Sequence, residues 1–329
     1  MDFSRSVLDI DAEAEIIRIS DFIRNITHER YKRKGAVIGL SGGLDSAVIA
    51  ELSVRALGED KVLALFLPEK ESSPISLEYG QKQAQKLGIE TIKVDLSENL
   101  ESLRVYESRD SVIKSIFPEF DKSYKFHATL PQNLLEKDRL NYRSLTIEDL
   151  KGNRKKTRIS TSDWQKISAC QNMKQRLRMI QQYYYAEKNN YIVSGTTNKT
   201  EVLQGLFVKY GDGGVDIEPI AHLYKTQVLQ LAKALGVIPE IINRPSSPDT
   251  YSLPVTDKEF YLCLDFGLLD LLMYAYQENV PIEQISSTLE LKPEQIQRVF
   301  KDFKIKEHGT WHMREMPSTL DTQIECPEV

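Results

Sequence analysis

A loop of small residues at positions 39–46, Gly-Leu-Ser-Gly-Gly-Leu-Asp-Ser and here called the Gly-Ser loop, constrains the fold of this chain more than any other feature. It follows the apolar run at 36–38 and leads into helix-forming residues at 47–57. This order predicts a strand, a tight turn and a helix. Glycines let a backbone approach a phosphate closely, and a helix N-terminus offers unpaired N–H groups and a positive dipole end. The loop therefore predicts an anion site suited to nucleotide phosphates.

Asp45 is the unusual member of this loop. A carboxylate beside phosphates repels them, so its presence indicates that a metal ion lies between the two. No Gly-Lys-Ser or Gly-Lys-Thr closes the loop, so it does not follow the Walker pattern. A glycine-rich turn alone is more often an ordinary tight turn, but the strand before it and the helix after it favour the nucleotide interpretation.

Short apolar runs alternate with helical stretches along much of the chain. The runs at 37–40, 62–67 and 91–94 are separated by helical stretches, and a fourth run at 191–193 follows a long predicted helix. This pattern predicts an α/β fold, a doubly wound, Rossmann-like parallel sheet with helices on both faces. Such sheets bind ligands at the carboxyl ends of their strands. The Gly-Ser loop and Gly-Thr-Thr-Asn at 195–198 are therefore expected at one edge of the sheet.

The remaining segments predict additions to this sheet. We expect residues 1–250 to form a nucleotide-binding domain and residues 251–329 to form a helical extension of it. A segment at about 101–165 is rich in charged residues and serine and shows no sustained period. It predicts a solvated polar insertion, with a substrate lid or partner surface as the alternative. The apolar periods at 281–289 and 292–303 predict a helical hairpin.

The composition narrows the class of protein. A net charge of −5 argues against nucleic acid as the main partner. Cys170, Cys263 and Cys326 are widely spaced, so neither a disulfide framework nor a cysteine zinc site is expected. The N-terminus lacks the apolar core of a secretory signal, and the apolar segment at 260–276 is too short to span a bilayer. We expect a cytoplasmic protein without a membrane partner, and a buried helix at 260–276.

Polar residues with possible ligand roles follow the long predicted helix and the fourth strand. Glu201 begins a helix just after Gly-Thr-Thr-Asn, where its carboxylate can reach a magnesium ion shared with Asp45. Residues 209–216, Lys-Tyr-Gly-Asp-Gly-Gly-Val-Asp, form a glycine-rich loop with charges of both signs. Arg176 and Arg178 are two apart on one predicted helix and point to different sides, so one can face a ligand while the other faces solvent.

These motifs resemble those of known enzymes. Ser-Gly-Gly-x-Asp-Ser resembles the signature of the ATP pyrophosphatases, which cleave ATP between its α and β phosphates to adenylate a substrate. Taken together, the motifs resemble more closely those of the ammonia-dependent NAD synthetase family. They occur along this chain in the same order as in that family. They lie at 39–46, 172–179, 194–201, 209–216 and 223–226.

The resemblance implies roles for individual residues. It implies catalytic roles for Asp45 and Lys225, and magnesium ligation by Asp45 and Glu201. The implied ATP-binding residues are Gly39, Leu40, Ser41, Gly42, Gly43, Leu44, Asp45, Ser46, Thr196, Lys225 and Ser246. The residues implied to bind a dinucleotide substrate are Arg176, Lys209, Asp216 and His312.

The resemblance also implies a reaction. The enzyme would adenylate the nicotinate carboxylate of nicotinic acid adenine dinucleotide with ATP as co-substrate and Mg²⁺ as cofactor. Ammonia would then displace AMP to give NAD, and Asp212 is a candidate to accept a proton from ammonium. The family acts as a homodimer, so a homodimer is expected. Residues 1–35 are too few for a glutaminase domain, so nitrogen is expected from free ammonia or from a separate partner.

The chain departs from the family's pattern at three places. A Thr-Asp-Glu motif reads Thr-Asp-Lys here, which puts Lys258 where an acid is expected. A C-terminal His-Lys-Arg reads His-Met-Arg, and Met313 offers no donor to a phosphate or carboxylate. The segment at 101–165 has no counterpart in a compact family member. The ATP half of the pattern is therefore intact while the substrate half is altered.

Other functions stay open beside the one that the resemblance implies. A paralogous ATP-dependent amide ligase acting on a different carboxylate is the first alternative, because of Lys258 and Met313. A nucleotide-binding module without turnover is the second, although Asp45 and Glu201 are needed only where metal-assisted chemistry persists. A tRNA-thiolating pyrophosphatase is disfavoured, because the chain lacks paired or motif cysteines and a basic surface.

Overall fold

The computed structural model describes residues 3–137 and 141–320. Its centre is a parallel sheet of four strands, which confirms the predicted α/β fold. In chain order these strands are β1 (Ala36–Gly39), β2 (Val62–Phe66), β3 (Glu90–Lys93) and, after three strands of a second sheet, β7 (Ile192–Val193). Across the sheet they follow the order β3, β2, β1, β7. The strands that precede the two predicted ligand loops, β1 and β7, are therefore neighbours.

The described residues also form twelve α-helices. In chain order they are α1 (Ala12–Asn25), α2 (Leu44–Leu57), α3 (Pro74–Leu87), α4 (Ser97–Ser102), α5 (Val105–Ile116), α6 (Thr161–Asn189), α7 (Lys199–Gln204), α8 (Lys225–Leu235), α9 (Pro239–Ile242), α10 (Phe266–Gln277), α11 (Ile282–Leu289) and α12 (Pro293–Thr310). None of the helices in these ranges is long and apolar enough to cross a bilayer.

Helices cover both faces of the parallel sheet because successive strand residues point to opposite sides. On one face Ile38 belongs to a core shared with α1, α2 and α8. On the other face Val37 and Leu65 belong to a core shared with α4, α5 and α6. The doubly wound architecture predicted from the alternating pattern is thus confirmed.

The polar insertion contains a second sheet, so the prediction of a solvated segment is wrong for this part. Its antiparallel strands are β4 (Lys125–Thr129), β5 (Ser144–Glu148) and β6 (Arg154–Arg158). Phe126, Leu145 and Ile147 are buried in a core with residues of α5 and α6. Charged residues on the outer face of the strands conceal this short alternation in the sequence.

The C-terminal region is helical, as predicted, with one shift. The helix predicted at 260–276 begins only at Phe266, because residues Lys258–Leu262 form a short π turn and Cys263 takes a positive φ of 67°. The predicted hairpin is present as α11 and α12, which pack on α10. Cys326 and the rest of the tail beyond Leu320 lie outside the described residues.

Candidate active site

A cavity of about 540 Å³ opens at the carboxyl ends of β1, β2 and β7. Its lining includes most of the Gly-Ser loop after β1 and the segment 194–197 after β7, so the two predicted ligand loops do share one edge. The segments 205–208 and 244–251 complete much of the wall. Parallel strands bring these loops together because all of their carboxyl ends lie at the same edge.

The Gly-Ser loop is held in shape by its own serines. Gly43 is the N-cap of α2, and the Ser46 hydroxyl donates a hydrogen bond of 3.1 Å to the Gly43 carbonyl. The Ser41 N–H donates to Ser46 Oγ at 3.2 Å. Ser46 and Gly42 support the loop and do not themselves line the cavity. The first N–H groups of α2 have no partner within their helix and lie at this rim, which suits an anion.

A second loop, at 244–251, contacts the Gly-Ser loop through Arg244 and the start of α3 through Arg244 and Asp249. The Arg244 guanidinium donates to Gly42 O at 3.4 Å and to Ser76 Oγ at 2.9 Å. The Asp249 carboxylate accepts from the Ser76 hydroxyl at 2.6 Å and from the Ser73 N–H at 3.1 Å. The predicted ATP residue Ser246 lies between them and lines the cavity. The contacts of Arg244 and Asp249 have no local sequence signal, because their partners are more than 160 residues away.

Three charged residues predicted from widely separated motifs meet at the cavity floor. The Lys225 ammonium pairs with Asp45 Oδ2, and it lies 3.9 Å from Glu201 Oε1. Asn198 connects the two acids, because its side-chain amide donates to Asp45 Oδ1 at 3.1 Å and its backbone N–H donates to Glu201 Oε2 at 3.1 Å. The predicted proximity of Asp45 and Glu201 is present in the structure, and one lysine lies within 4 Å of both carboxylates.

Burial and charge shift the pKa values of this cluster. Burial by itself lowers the pKa of Lys225, but Asp45 and Glu201 outweigh it and raise that pKa above its ordinary value. Burial, with Asp45 beside it, raises the pKa of Glu201 well above its usual range. Asp257, also in the lining, has its pKa raised by burial to about 6. Three acids thus share one ammonium, and an additional positive charge in the cavity would be stabilised there.

Lys225 is positioned by a buried carboxylate that sequence reasoning did not identify as functional. Asp270 on α10 accepts a hydrogen bond from the Thr200 hydroxyl at 2.7 Å and from the Thr226 N–H at 2.8 Å. Thr200 Oγ1 accepts in turn from the Lys225 N–H at 3.0 Å. These bonds join the N-termini of α7 and α8 and fix the start of the helix that carries Lys225.

The residues implied to bind a dinucleotide lie outside the lining of this cavity. The Lys209 ammonium donates to the carbonyl oxygens of His312 at 2.8 Å and Glu315 at 3.0 Å. Arg176 is exposed and donates to Lys209 O at 3.3 Å. Asp216 accepts from the Val193 N–H at 2.7 Å, which satisfies the end of β7.

The substrate roles of Arg176, Lys209, Asp216 and His312 stay predictions. Of the two arginines placed on different sides of α6, it is Arg178 that lines the cavity. Asp212 lines it as well, accepts from the Val208 N–H at 2.8 Å, and has a pKa raised by burial to about 6.

The departures at positions 258 and 313 have different consequences. Lys258 is outside the cavity lining and pairs with Asp265 at 2.8 Å on the surface, while its neighbour Asp257 faces the cavity. Met313 does line the cavity. Only the second departure therefore changes the surface that a ligand meets.

Replacing Lys258 by glutamate is expected to leave catalysis unchanged, although it restores the acid of the family's motif. The side chain is on the surface and its partner Asp265 is exposed, so KM and kcat should change by less than about twofold. Steady-state kinetics of the K258E variant against the wild type test this. A tenfold change in either constant would mean that residue 258 reaches the substrate.

Glu218 makes stability depend on pH. Its carboxylate accepts from the Thr197 N–H at 3.1 Å behind Gly195, and burial raises its pKa from 4.5 to about 8. Between these values the folded protein binds more protons than the unfolded chain, so stability falls as pH rises. The E218Q variant has no such charge to bury and is expected to be about 1–3 kcal/mol more stable than wild type at pH 9.

Urea unfolding at pH 4.5 and pH 9 tests this expectation, with E187Q as an exposed control. The E218Q advantage should be absent at the lower pH, where the wild-type carboxyl is protonated in the folded protein and so adds no buried charge. An advantage of the same size at both pH values, or an equal advantage in E187Q, contradicts it.

A parallel sheet with a glycine-rich anion loop and a lysine–carboxylate cluster at its carboxyl edge defines a nucleotide-binding α/β protein. The sequence model of the family described as NAD synthase matches residues 15–114 and 108–313. This chain therefore belongs to the NAD synthase family.

Two relatives match this chain over nearly their whole length. The chain is 40% identical to the NH(3)-dependent NAD(+) synthetase of Mesorhizobium japonicum, over 94% of this chain and 97% of that protein. It is 37% identical to the protein of the same name from Thermotoga maritima, over 89% and 95% of the two chains.

Two solved structures show the same fold. The NMN synthetase from Francisella tularensis superposes with a TM-score of 0.66 at 22% identity, over 95% of this chain and all of that one. The NH3-dependent NAD synthetase from Campylobacter jejuni superposes with a TM-score of 0.63 at 23% identity and the same coverage.

Proposed function

We propose that this protein is a carbon–nitrogen ligase that converts nicotinic acid adenine dinucleotide to NAD with ammonia, while ATP is cleaved to AMP and pyrophosphate. The observation that carries the proposal is the cluster of Asp45, Glu201 and Lys225 beside the Gly-Ser loop. Membership of the NAD synthase family and the names of relatives that span nearly the whole chain support it. A cytoplasmic location is part of the same proposal.

The reaction activates a carboxylate, because direct displacement by ammonia would expel oxide. A carboxylate oxygen of the acceptor attacks the α-phosphorus of ATP, the bond from that phosphorus to the oxygen bridging to the β-phosphate breaks, and pyrophosphate leaves. Ammonia then adds to the acyl carbon and loses a proton, and the bond from that carbon to the AMP oxygen breaks to leave the amide. The protein supplies mainly positioning and charge stabilisation for these steps.

The residues of the cavity suit these tasks. The N-terminal N–H groups of α2 and the Ser41 hydroxyl bind the phosphates of ATP, and the Lys225 ammonium stabilises the negative charge on the departing pyrophosphate. Asp212, which lines the same cavity with a pKa of about 6, accepts the proton that ammonium gives up. No protein nucleophile takes part in this scheme.

The charged cluster fits a magnesium ion. No three His, Cys, Asp or Glu side chains of the described residues form a ready metal site. Magnesium, however, commonly takes one or two carboxylates and completes its coordination with substrate phosphates and water. Asp45 and Glu201 converge on one ammonium, and burial, with the Asp45 charge as a smaller cause, raises the pKa values of Glu201 and Asp257. Asp45 and Glu201 would hold the ion, which would supply positive charge against the phosphates.

Met313 favours a second candidate function, the amidation of a different carboxylate. It lines the cavity and offers no hydrogen-bond donor to an acceptor substrate. Lys258 lends this candidate no support, because it pairs with Asp265 outside the cavity lining.

An activity assay tests both candidates. Purified protein is incubated with ATP, magnesium and ammonium, and with either nicotinic acid adenine dinucleotide or nicotinic acid mononucleotide. NAD and pyrophosphate are expected in equal amounts from the dinucleotide, and chelation of magnesium should stop both. Pyrophosphate release with the mononucleotide alone decides for the second candidate. ATP binding without pyrophosphate release in the presence of any acid would leave only a nucleotide-binding module.

We further propose that the protein forms a homodimer. Helix α6 exposes two large apolar side chains, Ile180 at 54% and Tyr184 at 56% of their accessible surface, and such residues suit an interface between subunits. Analytical ultracentrifugation tests this. A species of twice the 37.7 kDa chain mass is expected, and a monomer at micromolar concentration contradicts it.

A further inference from the structure

Arg143 places a cation from the insertion at the wall of the cavity. It immediately precedes β5 and lines the same cavity as the Gly-Ser loop. Its guanidinium carbon lies 3.9 Å from the centre of the Trp164 ring and 5.0 Å from the centre of the Phe260 ring. One of its nitrogens donates to Phe260 O at 2.8 Å. The two rings and the carbonyl hold the guanidinium in one orientation.

Within the residues that the structure describes, no acid neutralises this guanidinium. No carboxylate of the described residues forms an ion pair with Arg143, and Phe260 O is the one hydrogen-bond acceptor that it has among them. Arg109, another buried arginine of the insertion, pairs with both Glu71 and Asp110 at 2.6 Å. A guanidinium carries five N–H donors, and a partly buried cation without an acid is costly unless an anion binds to it.

The surroundings of Arg143 indicate what kind of anion fits. Trp164, Phe260 and Tyr261 all contribute to the cavity lining beside it, and the Trp164 and Phe260 rings lie 6.3 Å apart. A flat ring or a nucleotide can stack on such aromatic surfaces while its acid group meets the guanidinium. Arg143 shares no hydrogen bond with the Gly-Ser loop within the described residues, whereas Arg244 donates to the Gly42 carbonyl of that loop.

We propose that Arg143 binds an anionic group of the acceptor substrate. The insertion would then contribute to specificity for the acceptor, whereas the Gly-Ser loop and Lys225 bind ATP. This inference rests on the proposed function. The group bound is a carboxylate or a phosphate, since both accept two parallel hydrogen bonds from a guanidinium. In this arrangement ATP binds at the Gly-Ser loop and Lys225, and the acceptor substrate binds beside Trp164, Phe260 and Tyr261.

Steady-state kinetics of R143M, R143K and R158M test the proposal. R158M is the matched control. Arg158 is an arginine of β6, beside β5, and it also lies over an aromatic ring, that of Tyr142, but it is outside the cavity lining. R143M is expected to raise KM for nicotinic acid adenine dinucleotide by about 10- to 100-fold and to leave KM for ATP within about twofold. R143K keeps the positive charge but lacks the paired N–H donors of a guanidinium. It should raise KM for the dinucleotide by about 3- to 10-fold. R158M should change neither constant.

Each outcome decides something. A wild type that forms no NAD overturns the proposed function and this inference with it. An active wild type whose R143M variant keeps its KM for the dinucleotide, or raises KM for ATP instead, overturns this inference alone. If R143M unfolds below the assay temperature, the KM values of R143K for the dinucleotide and for ATP are used for the same comparison. Inhibition by NAD shows which anionic group Arg143 binds, because NAD has the pyrophosphate of the substrate but not its carboxylate. R143M should weaken inhibition by NAD only if Arg143 binds the pyrophosphate.

Discussion

Replacing Lys225 by methionine is expected to lower kcat/KM for NAD formation by about 10²- to 10³-fold, the loss typical of removing one preorganised charge-stabilising group. Lys225 is the one lysine that faces the cavity among the described residues, and it contacts Asp45 and Glu201 together. Without its ammonium, the carboxylates repel the phosphates of ATP, and the charge on departing pyrophosphate loses a partner. The measurement is pyrophosphate release under saturating ammonium.

Stability must be followed in the same experiment, because removing the lysine leaves its carboxylates without a protein cation. This costs up to about 3–5 kcal/mol of unfolding free energy when such a pair is buried. K258M is the control, since Lys258 pairs with Asp265 on the surface and should behave as wild type. A folded K225M variant that keeps more than about a tenth of wild-type activity would contradict the assigned role.

The Gly42→Ala variant is expected to raise KM for ATP by tenfold or more and to lower the free energy of unfolding by about 1–3 kcal/mol. Gly42 has a φ of 74°, which favours glycine, and an added Cβ would run into the carbonyl oxygen of Ser76 and lie 3.1 Å from the Gly80 nitrogen. The Gly-Ser loop would have to move away from α3, and its N–H groups would lose the positions that bind phosphate.

Gly58 provides a matched control for this effect. It has a φ of 88° at the end of α2, and nothing lies within 4 Å of an added Cβ. G58A therefore carries backbone strain without the collision, and it should cost about 1–3 kcal/mol of stability and leave KM for ATP unchanged. Equal kinetics in G42A and wild type would show that the loop does not need this close approach to α3.

Local pattern accounts for most of the fold that was predicted. The strands β1, β2 and β7 lie where short apolar runs predicted them, because a strand buried on both faces needs apolar residues at every position. The edge strand β3 is mostly exposed, and Ile92 is its one apolar residue. The insertion was predicted less well. The three strands of its sheet are only five residues each, and the third, β6, has four basic residues and no buried position, so the apolar alternation is too short to stand out.

The candidate site was predicted in part. Asp45, Glu201 and Lys225 were expected together and are together. Arg143 and Asp270 were missed as parts of the site, because nothing beside them along the chain shows that they reach the cavity or the start of α8. Conversely, Lys258 drew attention as a departure from a motif, and its surface position removes it from the ligand's reach.

Patterns local to the chain are enough to specify the strands of the parallel sheet and the Gly-Ser loop, since a glycine-rich turn between a strand and a helix depends only on adjacent residues. Which charges share the cavity depends instead on packing between segments that are far apart in the chain. Asp45 and Lys225 are 180 positions apart, and their contact depends on β1 and β7 being neighbours and on Asp270 joining two helix ends. The same holds for Arg143, which has no acid partner among the described residues, because ion pairing depends on residues that are distant in the sequence.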